Sequence, residues 1–322
     1  MPEGVDQPAA EGLEPAKPDG LDEEAFRAAV LSWYRAAGRQ LGFRSRSDPY
    51  AVLVSETMAQ QTQIGRVTDH WQRFLDRFPT FEALAAAPPA DVLRAWRGLG
   101  YNRRALNLQR CARLVVEAHA GQLPADIRLL ESLPGIGRYT ARAVAALAFG
   151  LSVGPVDVNV RRVLGRAARI DDRAPTAPDR VRAIQLLADQ LASAGGRGWS
   201  PAEWTHALMD VGATFCRPRE PRCDACPARR ACRSAGRVAG DSASAGLPRA
   251  QPGPTPFPQT RRWLRGRILD RLRDAGEGWT RFEDAIGTHD ITSVVEALHA
   301  LAVEGLVEID PAGSNAARLP IA

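Results

Sequence analysis

The chain has 322 residues, of which 45% are hydrophobic, and its formal net charge is +5. This length is enough for more than one packed core. The sequence has no apolar run of about 18 residues and no basic stretch followed by an apolar core at its start, so neither a membrane span nor a secretory signal is expected. We therefore expect a cytoplasmic protein of two or three domains.

Charge is divided unevenly along the chain. Residues 1–24 carry eight acids against the single base Lys17, so they net −7 and residues 25–322 net +12. The acidic stretch lacks apolar periodicity, which predicts a disordered tail over residues 1–24. The basic body suits a polyanionic partner, although a solvated arginine-rich surface explains the charge equally well. Since Lys17 is the only lysine, the folded body has no lysine amine for covalent catalysis.

The body between the tail and a second low-complexity stretch shows helical periodicity. Apolar residues recur at helical spacing from Phe26 to Trp33 and again from Ile64 to Phe78, whereas strand-like alternation is scarce. Asp48 followed by Pro49 predicts the start of a helix. We predict an all-α domain over residues 25–236, followed by a Pro-rich linker over residues 237–260.

Two glycines lie between apolar helical stretches in the segment LPGIGRYTA. Gly135 and Gly137 permit positive φ and a tight hairpin, and they leave backbone amides at the start of the second helix free to hold a phosphate. Taken alone, this pattern also fits an ordinary helical corner. It becomes more specific because an isolated acid, Asp157, follows about twenty residues later.

Four of the five cysteines form the pattern C-x6-C-x2-C-x5-C. In a reducing compartment such clustering favours a metal site over disulfides. The chemistry of four thiolates leaves zinc and a [4Fe–4S] cluster open. The expected ligands are Cys216, Cys223, Cys226 and Cys232, whereas Cys111 is expected to be a core residue.

Residues 261–322 predict a small separate domain. An arginine-rich amphipathic helix over residues 261–275 is followed by two more helical stretches and by a hairpin from residues 305–309 to 317–319, an order typical of a winged helix. The domain fits a DNA reader and a protein-contact module equally well. As a DNA reader it would contact phosphates through Arg261, Arg262, Arg265 and Arg267.

The hairpin, Asp157 and the cysteine spacing together resemble the endonuclease III and MutY superfamily of helix-hairpin-helix DNA glycosylases over about residues 26–235. The adenine glycosylase (MutY) branch is resembled most closely, in SETMAQQTQ at 55–63, GLGY at 98–101 and ALMDVGA at 207–213. The resemblance implies an all-α, two-lobed fold, with a six-helix barrel and an iron–sulfur helical domain. It also implies a [4Fe–4S] cluster at residues 216–232 instead of zinc.

The resemblance implies catalytic roles for three residues. Glu56 matches the general acid that protonates the departing base, and Asp157 matches the carboxylate that stabilises an oxocarbenium-like sugar. Tyr139 stands where strand-nicking relatives carry a catalytic lysine, so the resemblance implies a monofunctional enzyme without lyase activity. Either carboxylate taken alone would read as an ordinary surface acid.

The resemblance also implies contacts with DNA. Gln61 and Tyr101 match residues that enter the base stack near the orphaned base. The expected partner is double-stranded DNA with a mismatch or an oxidised guanine, bound by a monomer at the bacterial nucleoid and without a membrane. The expected DNA-binding residues are Gln61, Tyr101, Gly135, Gly137, Arg44 and Asn159.

The predicted function is base-excision repair that removes adenine opposite 8-oxoguanine or guanine. Two alternatives stay open: a glycosylase for thymine or uracil opposite guanine, and a non-catalytic DNA-binding homologue. The sequence departs from the branch near the base pocket, with LGFR at 41–44 where Leu-Pro-Trp-Arg is usual and Val158 where glycine is usual. The C-terminal domain is shorter than the branch's recognition domain for oxidised guanine.

Overall fold

The computed structural model describes residues 21–170, 178–193, 198–237 and 255–321. Helices dominate these ranges, and three short strands near the C-terminus form their one sheet. The chain divides into two compact units: a first unit of residues 1–38 and 152–245, and a second unit of residues 39–151 and 246–322. Most of the predicted acidic tail and of the predicted linker lies outside the described residues.

The elements follow one another as a series of helices that ends in a small α/β segment. The helices are α1 (Glu23–Ala37), α2 (Pro49–Ala59), α3 (Ile64–Arg77), α4 (Phe81–Ala86), α5 (Pro89–Ala95), α6 (Arg103–His119), α7 (Ile127–Ser132), α8 (Arg138–Leu147), α9 (Val158–Ala167), α10 (Pro178–Ser193), α11 (Pro201–Thr214), α12 (Arg261–Asp274) and α13 (Ile291–Val303). Short 3-10 turns cover Gly42–Ser45, Cys223–Ala225 and Phe257–Gln259. The strands are β1 (Thr280–Arg281), β2 (Glu308–Ile309) and β3 (Ala316–Arg318). Within the described ranges, no helix has both the length and the apolar character needed to cross a bilayer.

The first unit packs α1, α9, α10 and α11 around one apolar core. Asp22 caps α1 by accepting a hydrogen bond from the amide of Ala25 at 3.0 Å, so Glu23 and Glu24 belong to a helix and not to the predicted tail. The rings of Phe26 and Trp204 meet edge to face with centres 6.2 Å apart, worth about 0.5–1.5 kcal/mol beyond area burial.

The second unit is built around α2, whose side chains from Tyr50 to Met58 are all buried. The predicted start of this helix is confirmed, because the side chain of Asp48 accepts a hydrogen bond from the amide of Ala51 at 2.8 Å and Pro49 opens the first turn. A helix that is buried on every side needs neighbours on every side. Helices α3, α6 and α8 pack against it.

The C-terminal segment belongs to the second unit and is held by hydrogen bonds to its helices. The buried guanidinium of Arg273 donates to the carbonyl of Leu93 at 3.0 Å and to Oδ1 of Asn102 at 2.7 Å. The amide of Ala90, at the start of α5, donates to the carbonyl of Pro320 at 2.8 Å. These bonds join α12 and the chain after it to α5 and to the turn before α6.

The predicted hairpin near the C-terminus is present as β2 and β3. The strand β3 is central, in the antiparallel order β1-β3-β2, with Glu308 opposite Arg318 and Thr280 opposite Ala317. The prediction of two helical stretches between α12 and the hairpin is wrong, because α13 is the one helix that the structure places there. Gly287 adopts a φ of +62° in this stretch, a conformation that ends regular helix.

Candidate active site and nucleic-acid interface

Glu56 and Tyr139, far apart in sequence, meet within the second unit. The hydroxyl of Tyr139 donates a hydrogen bond of 3.0 Å to Oε2 of Glu56. Glu56 is 9% exposed on the buried helix α2, and Tyr139 lies in the first turn of α8. The pairing of α2 with α8 therefore brings together two groups that can carry a proton.

The glycine hairpin joins α7 to α8, as predicted. Gly135 has a φ of +79°, and a Cβ added there would lie 2.8 Å from Cβ of Asn107, so both the turn and the packing require glycine. Gly137 precedes α8 without a side-chain cap, and both glycines are exposed. The first amides of α8 are thus available to an anion such as a phosphate.

Asp157 is the N-cap of α9, in the first unit. Its Oδ1 accepts the amides of Asn159 at 2.9 Å and Val160 at 2.6 Å, and its Oδ2 accepts Nδ2 of Asn159 at 2.9 Å. Three donors hold the carboxylate in one orientation at the positive end of a helix. Asn159, expected to bind DNA, therefore positions the carboxylate of Asp157 in this structure.

Two residues that the sequence analysis missed support Asn159. The Nη2 atom of Arg162 donates to Oδ1 of Asn159 at 2.7 Å and to the carbonyl of Gly212 at 3.0 Å, while Nε donates to the carbonyl of Cys216. A Cβ on Gly212 would lie 2.7 Å from Cβ of Asn159, so α11 approaches α9 closely only because residue 212 is glycine. The ALMDVGA motif contained this signal.

The four clustered cysteines are free thiols, half-buried on one loop of the first unit. Burial raises the pKa of the Cys226 thiol to about 11 and also raises the pKa of Cys232, and the nearby cysteine charges add to both shifts. Within the described ranges, no three histidine, cysteine or acidic side chains form a group that could hold a single metal ion. Arg166 approaches the cluster of thiols, with Nη1 3.5 Å from Sγ of Cys216.

This donor set fits an iron–sulfur cluster. The four thiols lie on one half-buried loop, and the charges of neighbouring cysteines act on both Cys226 and Cys232. Four cysteine thiolates are the ligand set of an iron–sulfur cluster. Thiolate ligands need compensation for their charge in a half-buried loop, and the guanidinium of Arg166 supplies one positive charge there.

Gln61 and Tyr101 lie on two exposed turns of the second unit. Both have left-handed backbones, with φ of 54° and 46°, and Tyr101 is 41% exposed. Non-glycine residues rarely adopt this conformation, and it persists only where neighbours hold it. The structure therefore places the two side chains expected to enter the base stack on strained and outward-facing turns.

Arg104, which the sequence analysis missed, holds both turns. Its Nη1 donates to the carbonyls of Thr57 at 2.8 Å and Met58 at 3.0 Å, and its Nη2 donates to those of Leu99 and Gly100, each at 3.1 Å. Burial lowers the pKa of this guanidinium to about 10, so it stays charged at neutral pH. No side-chain signal marks Arg104, because most of its acceptors are backbone carbonyls.

A groove of about 970 Å³ runs beside the turns of Gln61 and Tyr101 in the second unit. We call it the arginine groove, because seven arginines line it against two acids, Asp270 and Glu304. The arginines are Arg66, Arg103, Arg104, Arg262, Arg265, Arg267 and Arg273. Such an excess of positive charge beside exposed aromatic and amide side chains suits a nucleic-acid strand.

The remaining expected positions occupy different environments. Phe43 is 7% exposed and packs edge-on to Trp71, with ring centres 6.4 Å apart, so the first departure from the branch's pattern lies in the core. The side chain of Arg44 donates to the carbonyl of Arg39 at 3.4 Å. Val158, the second departure, is 67% exposed beside Asp157 in the chain.

A family model and several relatives match this chain. The model of the HhH-GPD superfamily base excision DNA repair protein matches residues 54–188. The adenine DNA glycosylase of Mycolicibacterium smegmatis is 42% identical over 282 residues, which are 87% of this chain and 91% of the relative. The adenine DNA glycosylase of Homo sapiens is 39% identical over 229 residues, which are 68% of this chain and 41% of the relative.

Solved structures also resemble the chain. A thermostable thymine-DNA glycosylase matches with a TM-score of 0.59 at 28% identity, covering 66% of this chain and 95% of the other. A non-covalent endonuclease III–DNA complex matches with a TM-score of 0.54 at 22% identity, covering 68% of this chain and 99% of the other, a likeness of fold alone. The all-α fold class expected from the sequence is confirmed.

Proposed function

We propose, from the premise that this chain belongs to the HhH-GPD superfamily of base excision DNA repair proteins and to its MutY-like branch, that it hydrolyses the N-glycosidic bond of adenine mispaired with 8-oxoguanine or guanine. The observation that carries the proposal is the contact between Tyr139 and Glu56, because a buried carboxyl group that accepts a phenol hydrogen bond is suited to proton transfer. A module that only bound DNA would need neither residue.

The proposed chemistry divides the work between two carboxyl groups. Glu56 gives a proton to a ring nitrogen of adenine, so that the base leaves neutral with the electrons of the broken C–N bond. Asp157 supplies negative charge to the oxocarbenium-like sugar, to which water then adds at C1′, and the proton that this water loses restores the acid form of Glu56. Its three hydrogen-bond donors support this role, because a carboxylate already held in one rotamer needs no reorganisation during the reaction.

The proposed enzyme acts without an amine nucleophile. Tyr139 occupies the hairpin position that would carry a catalytic lysine in a lyase, and the sole lysine of the chain is Lys17. Without a lysine amine in the folded body, no lysine imine can form at the sugar and no strand cleavage by elimination follows from one. The product is therefore an intact strand with an abasic site.

We propose that Cys216, Cys223, Cys226 and Cys232 hold a [4Fe–4S] cluster, which would supply a rigid, charged cross-link for the loop. The loop is joined to the helix of Asp157 through Arg162, which contacts both Asn159 and the carbonyl of Cys216. A rigid cysteine loop would therefore help to hold the carboxylate of Asp157 in one position. Gln61 and Tyr101 are proposed to fill the gap beside the base that faces the excised adenine.

One release assay tests the proposal and its rival. Single-turnover base release is measured on duplexes that carry A opposite 8-oxoguanine, A opposite G, T opposite G and U opposite G. Release of adenine from the first two alone supports the proposal. The rival, thymine excision, is favoured by the likeness to a thymine-DNA glycosylase structure and would release base from the third duplex. Binding without any release would indicate a non-catalytic homologue.

A further inference from the structure

Helix α12 presents most of its arginines to carboxylates of the same small domain. Arg265 pairs with Glu304 at 2.7 Å, Arg267 pairs with Asp270 at 2.6 Å, and the exposed Arg261 pairs with Glu296 at 3.0 Å. Three of the four arginines expected to contact phosphates are therefore already paired. Their remaining attraction for a polyanion is reduced by these partners.

Arg262 has a different environment. Its guanidinium carbon lies 4.4 Å from the ring centre of Tyr101, and within the described ranges it has neither a carboxylate partner nor a hydrogen bond. A guanidinium that stacks on a ring uses its flat face for that contact. Its N–H donors point outward in its own plane, where an incoming acceptor can reach them. Arg262 and Tyr101 are both exposed, so their contact faces solvent.

The position of Arg262 is fixed by the way the C-terminal segment is joined to the rest of the second unit. Arg97 pairs with Asp274 at 2.7 Å, at the far end of α12. The buried Arg273 bonds Asn102, the neighbour of Tyr101, at 2.7 Å. These contacts hold α12 against the turn that carries Tyr101, so the small domain brings Arg262 to the arginine groove.

We propose that Arg262 is a specificity-determining residue, which holds the ring of Tyr101 in place and binds a phosphate of the DNA strand that carries the base opposite adenine. The inference deepens the proposed function and rests on it, because it assigns mismatch recognition to the C-terminal domain. The occupant of the arginine groove is a DNA strand, since arginines outnumber acids along it and both acids are paired with arginines.

The two contacts act together. Stacking of the Arg262 guanidinium on Tyr101 holds the exposed ring in one orientation, so that the ring can contact a base at little entropic cost. The phosphate contact alone would raise affinity for every duplex equally, since phosphates carry no sequence information. Selectivity for a mismatch requires that the ring be held as well.

The test compares Arg262→Ala, Arg262→Lys and the matched control Arg261→Ala, which removes the same charge from the neighbouring position but lies outside the arginine groove. The probe is a duplex whose target deoxyadenosine carries a 2′-fluorine that resists cleavage, placed opposite 8-oxoguanine, opposite guanine or opposite thymine. Dissociation constants are measured over a range of salt concentrations, together with thermal unfolding midpoints.

We expect Arg262→Ala to weaken binding to the two mismatches about tenfold more than binding to the paired duplex, and to flatten the salt slope by about 0.9. Arg262→Lys should keep the slope and lose the mismatch preference, because lysine retains the charge without a planar stacking group. Arg261→Ala should change neither the salt slope nor the mismatch preference, because the Arg261 guanidinium is already paired with Glu296 and lies outside the arginine groove. A double variant with Tyr101→Ala should show no more loss of preference than Tyr101→Ala alone.

The inference is overturned if Arg262→Ala weakens binding to all three duplexes equally, or if Arg261→Ala has the same effect as Arg262→Ala. It is also overturned if Arg262→Ala lowers the thermal unfolding midpoint without changing the mismatch preference. The inference and the proposed function fail separately. A wild-type protein that prefers the mismatched duplexes but releases no adenine from cleavable ones contradicts the function, and the effect of Arg262→Ala on that preference then decides the inference by itself. Adenine release with an unchanged mismatch preference in Arg262→Ala contradicts the inference alone.

Discussion

The guanidinium carbon of Arg104 lies 5.6 Å from the ring centre of Tyr101, while the same guanidinium bonds the carbonyls before Tyr101 and those at the end of α2. Arg104 thus ties together the two turns that carry Gln61 and Tyr101. We expect Arg104→Ala to lower the free energy of unfolding by about 3 kcal/mol, because several carbonyls lose their donor in a half-buried place. Urea unfolding measures this loss.

The neighbouring Arg103→Ala is the control for stability, since Arg103 is exposed and its removal should leave the urea midpoint nearly unchanged. Similar midpoints for the two variants would contradict the role given to Arg104.

Replacing Glu56 by a residue without an acidic proton should slow base release strongly and leave DNA binding nearly intact. Glu56→Gln keeps the shape of the side chain and can still meet the hydroxyl of Tyr139, but it cannot deliver an acidic proton. We expect single-turnover release to fall by about 10²–10⁴-fold. The control is Glu117→Gln, the same substitution at an exposed position on α6, and it should keep full activity. Full activity of Glu56→Gln would refute the acid role.

Gly212 should tolerate no side chain. In Gly212→Ala the new Cβ would meet Cβ of Asn159 at 2.7 Å and push the residue that bonds Asp157. We expect base release to fall by about 100-fold, a size typical of misplacing a catalytic group by about 1 Å. Gly65→Ala is the control, because nothing lies within 4 Å of a Cβ there. It should be neutral or slightly stabilising.

The cysteine loop should carry iron and sulfide. Purified protein should be yellow-brown with broad visible absorption, and Cys226→Ser should lose much of the colour because one ligand is replaced by a poorer one. Iron, sulfide and zinc are measured by elemental and colorimetric assays after anaerobic preparation. Colourless protein with one equivalent of zinc would contradict the cluster and favour the alternative that the thiolate chemistry allows.

Borohydride should trap no covalent complex between the protein and mismatched DNA. An imine requires a free amine at the sugar, and the folded body has no lysine. Gel electrophoresis after reduction measures the trapped fraction. Lys17→Arg removes the one remaining side-chain amine, so trapping that persists in this variant would point to the N-terminal amine as a nucleophile.

Local signals predicted the elements better than they predicted the contacts. Asp48 and Pro49 marked the start of α2, and Gly135 marked the hairpin, because caps and turns depend on a few adjacent residues. The contact between Glu56 and Tyr139 depends on how α2 packs on α8, which no spacing in the sequence specifies. Only the likeness to a family placed those residues in one site.

Backbone acceptors explain most of what the sequence did not predict. Arg104 and Arg162 bond chiefly to carbonyls, which every residue possesses, so no residue type marks their partners. The wrongly predicted helix between α12 and the hairpin has a related cause. Apolar residues there follow helical spacing, but left-handed Gly287 lies against the ring of Trp263 and turns the backbone.

The hydrogen bond from the amide of Ala90 to the carbonyl of Pro320 has a consequence for the order of synthesis. The first unit has all of its residues once the ribosome has passed position 245, so it can fold while translation continues. In the second unit, the amide of Ala90 lacks this acceptor until residue 320 has been synthesised. Until then residues 39–151 expose the surface that α12 later covers, and a pause late in translation would prolong that exposure.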